Sequence, residues 1–151
     1  MPLTDTEHTL IESTYAAFLK APRPAPGDIT PHRCEECDKV RDFLAAYSVQ
    51  DVPDKVMESI ADALPLLAPS SQRYFLPRFI EFGLTHPDSI ASEYLLYHLS
   101  EERPCEPYWV ARYAAFSPEE RHAIVNYLAL SDADDFEEEM QRAMALWSAK
   151  A

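Results

Sequence analysis

Two glycines in 151 residues, Gly27 and Gly83, constrain this chain more than any other feature. Tight β-hairpins turn through positive-φ residues, which glycine supplies at no steric cost, and the Asn-Gly and Asp-Gly pairs that mark such turns do not occur. An all-β fold is disfavoured. The 13 prolines point the same way. Most stand between apolar-periodic segments or at their first turn, where a missing N–H costs nothing, so they punctuate helices. The expectation is an all-α fold, a single compact domain of six or seven helices around a central aromatic helix. It would consist of an N-terminal helix within 1–20, a proline-rich spacer over 21–31 and a helical core over 32–151. An apolar fraction of 47% is ample for one buried core and argues against disorder.

Spacing then places the helices. From Thr4 to about Lys20, Leu10, Ile11, Tyr15, Phe18 and Leu19 recur at helical intervals. Ala21 to Gly27 cannot continue that helix and reads as an extended spacer. Cys34, Cys37, Val40, Phe43 and Leu44 mark a second helix from about Arg33 to Tyr47. A third opens with Asp51 as cap and Pro53 in its first turn, carries Val56, Ile60, Leu64 and Leu67, and ends or kinks at Pro65. The segment Ser70 to Thr85 is the most apolar, through Tyr74, Phe75, Leu76, Phe79, Ile80 and Phe82. It is expected to be central and to bend at Pro77, where a lost ladder bond and a steric clash cost about 3 kcal/mol unless packing compensates.

Asp88 would cap a helix over Ser89–Leu99 carrying Ile90, Tyr94, Leu95, Tyr97 and His98, and Glu101–Phe116 reads as a loop with one helical turn. Ser117-Pro118-Glu119-Glu120 is a capping box and starts a helix reaching Leu130, with Ile124, Val125, Tyr127 and Leu128 inside. A last helix over about 134–149 carries Phe136, Met140, Met144 and Trp147.

Charge narrows the function. With 26 acidic against 13 basic side chains the formal net charge is −13, which repels phosphate backbones and anionic lipid, so direct nucleic-acid or membrane binding is not expected. No stretch approaches the length of apolar sequence that spans a bilayer, and the opening residues lack the basic-then-apolar build of a signal peptide, so a cytoplasmic protein is expected. Asp132, Asp134, Asp135, Glu137, Glu138 and Glu139 form the one dense acidic run. Carboxylates at a helix start are favoured by the macrodipole, and the same run would serve as a docking face for a basic partner.

His32-Arg33-Cys34-Glu35-Glu36-Cys37 is the one constellation with recognisable chemistry. A redox pair at a helix N-terminus is opposed by the two intervening glutamates and by the lack of a strand before it. A zinc site has Cys34, Cys37 and His32 as local ligands, with Cys105 or His98 as completing candidates, but needs four. The third reading is two reduced thiols serving as small core residues.

No His-Glu-x-x-His, Gly-x-Ser-x-Gly or phosphate loop occurs, so no catalytic residue is assigned and enzymatic activity is not expected. Glu81 and Glu93 fall in apolar segments, where a carboxylate either has a raised pKa and acts as an acid or base or, more commonly, reaches solvent or pairs with an arginine such as Arg73 or Arg78. Tyr94, Tyr97, Tyr108, Trp109 and Tyr113 would either pack in the core or line a small-ligand pocket.

The segments His32–Leu44, Ala63-Leu64-Pro65-Leu66-Leu67-Ala68-Pro69, Arg73-Tyr74-Phe75-Leu76-Pro77 and Phe116–Ile124 together resemble an uncharacterised family of small bacterial proteins. That family shares a Cys-x-x-Cys segment, an Arg-Tyr-[Phe/Tyr]-Leu-Pro helix and a late Ser-Pro helix. The resemblance covers most of the chain after residue 30 and implies no activity or catalytic residue. The chain departs at Ala68, where a hydroxyl residue would cap better. The expected function is an acidic protein-interaction module, neutralising a basic bacterial toxin or nuclease. The alternative is a zinc-binding or thiol-redox protein using Cys34 and Cys37.

Overall fold

The structure, a computed structural model, describes residues 2–100, 107–131 and 137–150, with the side chains of 108–110, 149 and 150 outside the description. The described residues are all-helical. Eight α-helices occur among them: α1 Asp5–Ala17, α2 Glu35–Ala45, α3 Asp54–Ser59, α4 Pro69–Thr85, α5 Ile90–Ser100, α6 Pro107–Ala114, α7 Pro118–Leu130 and α8 Glu137–Lys150. The helix beyond the expected six or seven is α6, which replaces the loop expected before Phe116. Single 3-10 turns at Pro26–Asp28, Val49–Asp51 and Leu64–Leu66 fill the proline-rich connections.

Local chemistry explains most of the boundaries. Thr4 and Glu7 form a reciprocal capping box on α1, and Ser117 and Glu120 form the one expected on α7. Asp51 closes a 3-10 turn and does not cap a helix, and Pro53 leads directly into α3. Ser89, not Asp88, starts α5, its Oγ accepting from the Ala91 N–H at 3.1 Å. Ala68 gives α4 no side-chain cap. The entry is held instead by its backbone N–H donating to the Ile29 carbonyl and by Ser71 Oγ donating to the Asp28 carbonyl.

Helix α4 is the central element, as expected, and continues through Pro77, which is itself buried. It packs against α1, α3, α5 and α6, and α7 joins α1 to α8, which returns to α5. The neighbours thus close into a ring, α4–α5–α8–α7–α1. Gly83 of α4 faces α5 and α7: a Cβ there would meet the Tyr127 hydroxyl at 3.3 Å and Ser92 Oγ at 3.6 Å. One buried apolar cluster runs from Leu10 and Phe18 through Phe75, Ile80 and Leu95 to Ile124 and Trp147. At its centre Phe116 packs edge-on against both Phe18 and Trp147, and Trp147 also meets Tyr113.

Two predicted faces are corrected. Leu19 is 82% exposed because α1 ends at Ala17, so only Leu10, Ile11 and Phe18 of its apolar set are buried, with Tyr15 half-buried. On α5 the inner face is Ala91, Leu95, Leu96, His98 and Leu99, while Ile90, Tyr94 and Tyr97 face solvent.

Candidate functional site

Cys34 lies outside the first turn of α2 as its N-cap, with Sγ accepting from the Cys37 N–H at 3.2 Å. Its side chain is exposed, whereas Cys37 is buried, so the pair divides into one surface thiol and one core thiol. The hydrogen bond to Cys34, burial, and the charges of Glu36 and Asp38 push the Cys37 thiol up to about 11. A thiol so held is protonated at neutral pH, the opposite of an activated nucleophile. His32 is exposed nearby, and its carbonyl accepts from Thr30 Oγ1. Among the described residues no group of three or more His, Cys, Asp and Glu is arranged to hold a metal. Cys105 lies outside the described residues.

His98 is not a surface ligand but part of the core. Its Nε2 stands 3.4 Å from Gln72 Oε1, and its carbonyl accepts from Arg112 Nη2. Burial, with the Arg112 charge second, holds the imidazole well below its usual 6.5. The sign follows directly. An unfolded chain protonates His98 near pH 6.5 and the native state does not, so the unfolded state binds more protons and stability falls on acidification. Between pH 6.5 and 5 stability should fall progressively as the unfolded chain takes up this proton. Urea unfolding across that window should show the decline, and a His98→Leu variant should flatten it; equal slopes in both proteins would refute the assignment.

A polar network joins α1, α3 and α4. Tyr15 donates to Glu81 Oε1 at 2.9 Å, and Arg78 Nη1 reaches the same oxygen at 3.1 Å. Arg78 also donates through Nε to the Val52 carbonyl and through Nη2 to Asp54 Oδ1, at 2.9 and 2.5 Å. Beside it Ile11, Glu12, Tyr15, Gln50 and Glu81 line an open cavity of about 370 Å³. Burial and the Glu81 carboxylate push the Tyr15 hydroxyl upward, so it is a fixed hydrogen-bond donor, not an acid. The expected Glu81–Arg78 pair is present, while Arg73 pairs with Glu120 instead.

The arginines show the largest consequence for the surface. Arg78, Arg112 and Arg121 are buried, and the side chains of Arg41 and Arg73 are only 11% and 24% exposed. Arg121 donates to the carbonyls of Tyr113 and Phe116 at the end of α6, and Arg112 lies over the Tyr113 and Trp147 rings, whereas Arg41 and Arg78 reach out to the exposed carboxylates of Asp42 and Asp54. Cations are favoured at helix C-termini, where unpaired carbonyls gather. Among the described residues Glu120 is the only buried carboxylate. Among the described residues three arginines but one carboxylate are buried, while Lys20, Arg23, Arg33, Lys39, Lys55 and Arg142 stay exposed.

Of the acidic run, Glu137 and Glu138 are exposed and Glu139 half-buried in the first turn of α8, while Asp132, Asp134 and Asp135 lie outside the described residues. Tyr94 and Tyr97 present their rings to solvent and Tyr113 packs inside against Trp147, so the structure does not gather them round one pocket. The side chains of Tyr108 and Trp109 lie outside the described residues. Glu93 is exposed. No helix among the described residues is long and apolar enough to cross a membrane.

Residues 25–150 match the model of a family described as "Family of unknown function (DUF6714)". No curated protein and no solved structure matches the chain. The match begins within the proline-rich spacer and leaves α1 outside it. By the extent of that match the chain belongs to this family.

Proposed function

We propose that this member of a family of unknown function is an acidic, cytoplasmic protein-interaction module whose partner is a basic protein, a toxin or nuclease of the kind that must be neutralised. The observation that carries the reading is the partition of charge. Arg112 and Arg121 are spent on carbonyls and ring faces and Arg73 on the buried Glu120, and among the described residues every other carboxylate stays at least partly exposed in a chain with formal charge −13. Burial does not alter the net charge, but it removes cations from between the surface anions, so the local potential outside is more negative than an even distribution would give. Such a surface steers cationic partners and raises their association rate in a salt-dependent way.

The test is affinity capture from the native cells with the full chain and with a Glu137→Gln/Glu138→Gln/Glu139→Gln variant. A basic protein should be retained in stoichiometric amount at low salt and released at about 0.5 M salt, where the Debye length is only a few ångströms. The variant should associate roughly tenfold more slowly with that protein once purified, since steering acts on the on-rate. Retention of neutral or acidic proteins only, or none, would defeat the proposal, as would salt-independent capture.

The alternative, a zinc or thiol role, is favoured by one observation: Cys34 is exposed one turn from Cys37. Metal analysis and thiol counting separate the two readings, because stoichiometric zinc lost on Cys37→Ser belongs only to the alternative.

A further inference from the structure

We propose that the solvent-facing line Ile90–Tyr94–Tyr97 of α5 is the docking surface for an amphipathic helix of the basic partner; this rests on the reading above and names the surface. Five large apolar side chains are exposed among the described residues, Leu19, Ile90, Tyr94, Tyr97 and Leu130. Leu19 is a single exposed apolar residue of the common kind, and Leu130 lines an open cavity between α1 and α7 among Thr6, Thr9, Ser13 and Asn126. The other three lie at i, i+4 and i+7 on one helix, 56%, 44% and 58% exposed. That spacing puts them on one side of two successive turns, the register in which a partner helix is read. The opposite side of α5 is buried through Ala91, Leu95, Leu96 and Leu99, so the line is presented on a fixed support.

The border of the line is acidic. Asp88 and Glu93 are exposed beside it, and α5 carries no lysine or arginine. Trp147 Nε1 donates to the Leu99 carbonyl, so the C-terminal ends of α8 and α5 meet. Phe116, just ahead of α7, packs on the same Trp147, and Tyr127 of α7 stands with Ser92 beside Gly83. Helix α8 therefore runs antiparallel to α7 and alongside α5 in the same direction, which brings Glu137–Glu139 to the end of the bundle where Ile90 lies.

Those charges select the occupant. A symmetric contact between two copies would bring the same acidic border to both sides, with no lysine or arginine of α5 to answer it, and three side chains fall well short of the roughly 800 Å² per partner that a stable interface buries. A helix with an apolar stripe and flanking lysines or arginines covers the rings, gains cation–π attraction from Tyr94 and Tyr97, and pairs with the acidic border.

The test uses the full chain and two labelled synthetic peptides about five helical turns long. They share one lysine- and leucine-rich composition, one arranged as an amphipathic helix and the other scrambled to destroy the stripe. The amphipathic peptide should bind at least tenfold tighter than the scrambled one, and Tyr94→Ser/Tyr97→Ser should abolish that advantage, as removal of two central interface tyrosines does. Both substitutions are at exposed positions, and an unchanged unfolding midpoint confirms that the variant folds. The scrambled peptide should bind wild type and variant equally, because only charge holds it.

Equal binding of both peptides to wild type, or an amphipathic advantage that survives the double substitution, overturns the docking line while leaving the acidic-module reading to its own capture experiment. Self-association of wild type that the double variant abolishes also overturns it, by giving the line to a second copy. Absence of salt-dependent binding to either peptide counts against both.

Discussion

Replacing Trp147 with alanine is expected to destabilise the protein by about 3–5 kcal/mol, the range for removing a buried tryptophan. Trp147 is fully buried and is the point where separate parts of the chain meet. Its ring lies 5.2 Å from Phe116 and 5.0 Å from Tyr113, both edge-on, and its Nε1 donates to the Leu99 carbonyl at 2.9 Å. The cavity would therefore open between α5, α8 and the segment leading from α6 into α7, which the ring of helices cannot close without shifting several contacts at once. Loss of the indole N–H removes a donor from a buried carbonyl, which adds about 1 kcal/mol. Trp147→Phe, which keeps most of the apolar contact and loses the donor, should cost roughly 1–2 kcal/mol. Guanidinium unfolding gives both values. A loss under about 1 kcal/mol for alanine would mean that this aromatic cluster does not hold the bundle together.

How much of this was legible in the sequence divides by the range of the interaction. Capping is local, and Ser117 with Glu120 could be read because three residues contain the whole motif. The central place of α4 was legible from its apolar density. What could not be read was which side of α5 faces inward. Ile90 and the rings of Tyr94 and Tyr97 can pack in a core as Leu95 and Leu99 do, and the approach of α4 and α8 decides between the two sides. That single ambiguity concealed the exposed line, which was expected to pack inside or line a pocket. Helix α6 was missed for a related reason: Pro107 is an acceptable first residue of a helix, yet with Pro104 close before it the segment reads as a loop. Tyr15 and Glu81 are 66 residues apart, and no local signal joins them. The acidic character was visible in composition, but the inward placement of the arginines was not, since an arginine that will cap a helix from inside looks like any surface cation. Only the Arg78–Glu81 pair, three residues apart, could be anticipated.

The pair between Arg73 and Glu120 carries the second large effect, and its two halves should not be equivalent. Glu120 is completely buried at the start of α7, and Oε1 accepts from the Ser117 N–H at 2.7 Å while both oxygens take the Arg73 Nε–H at 2.8 and 2.9 Å. Arg73 reaches it from α4 and is 24% exposed. Removing the arginine strands a carboxylate with no route to water, so Arg73→Met should cost about 3–5 kcal/mol, the range for breaking a buried pair. Removing the negative charge is milder. In Glu120→Gln the amide oxygen still accepts from Ser117, and Arg73 can turn its partly exposed guanidinium to solvent, so about 2 kcal/mol is expected. The double variant leaves neither charge stranded and should be more stable than Arg73→Met alone, with a coupling of at least about 1 kcal/mol in a double-mutant cycle. Equal costs for the two single variants, or simple additivity, would mean that water reaches Glu120 after all and that the pair does not join α4 to α7. The asymmetry matters beyond stability. A cation held this firmly by a buried carboxylate is withdrawn from the surface, as Arg112 and Arg121 are by carbonyls and rings, and the proposed function rests on the outer carboxylates that this leaves unanswered.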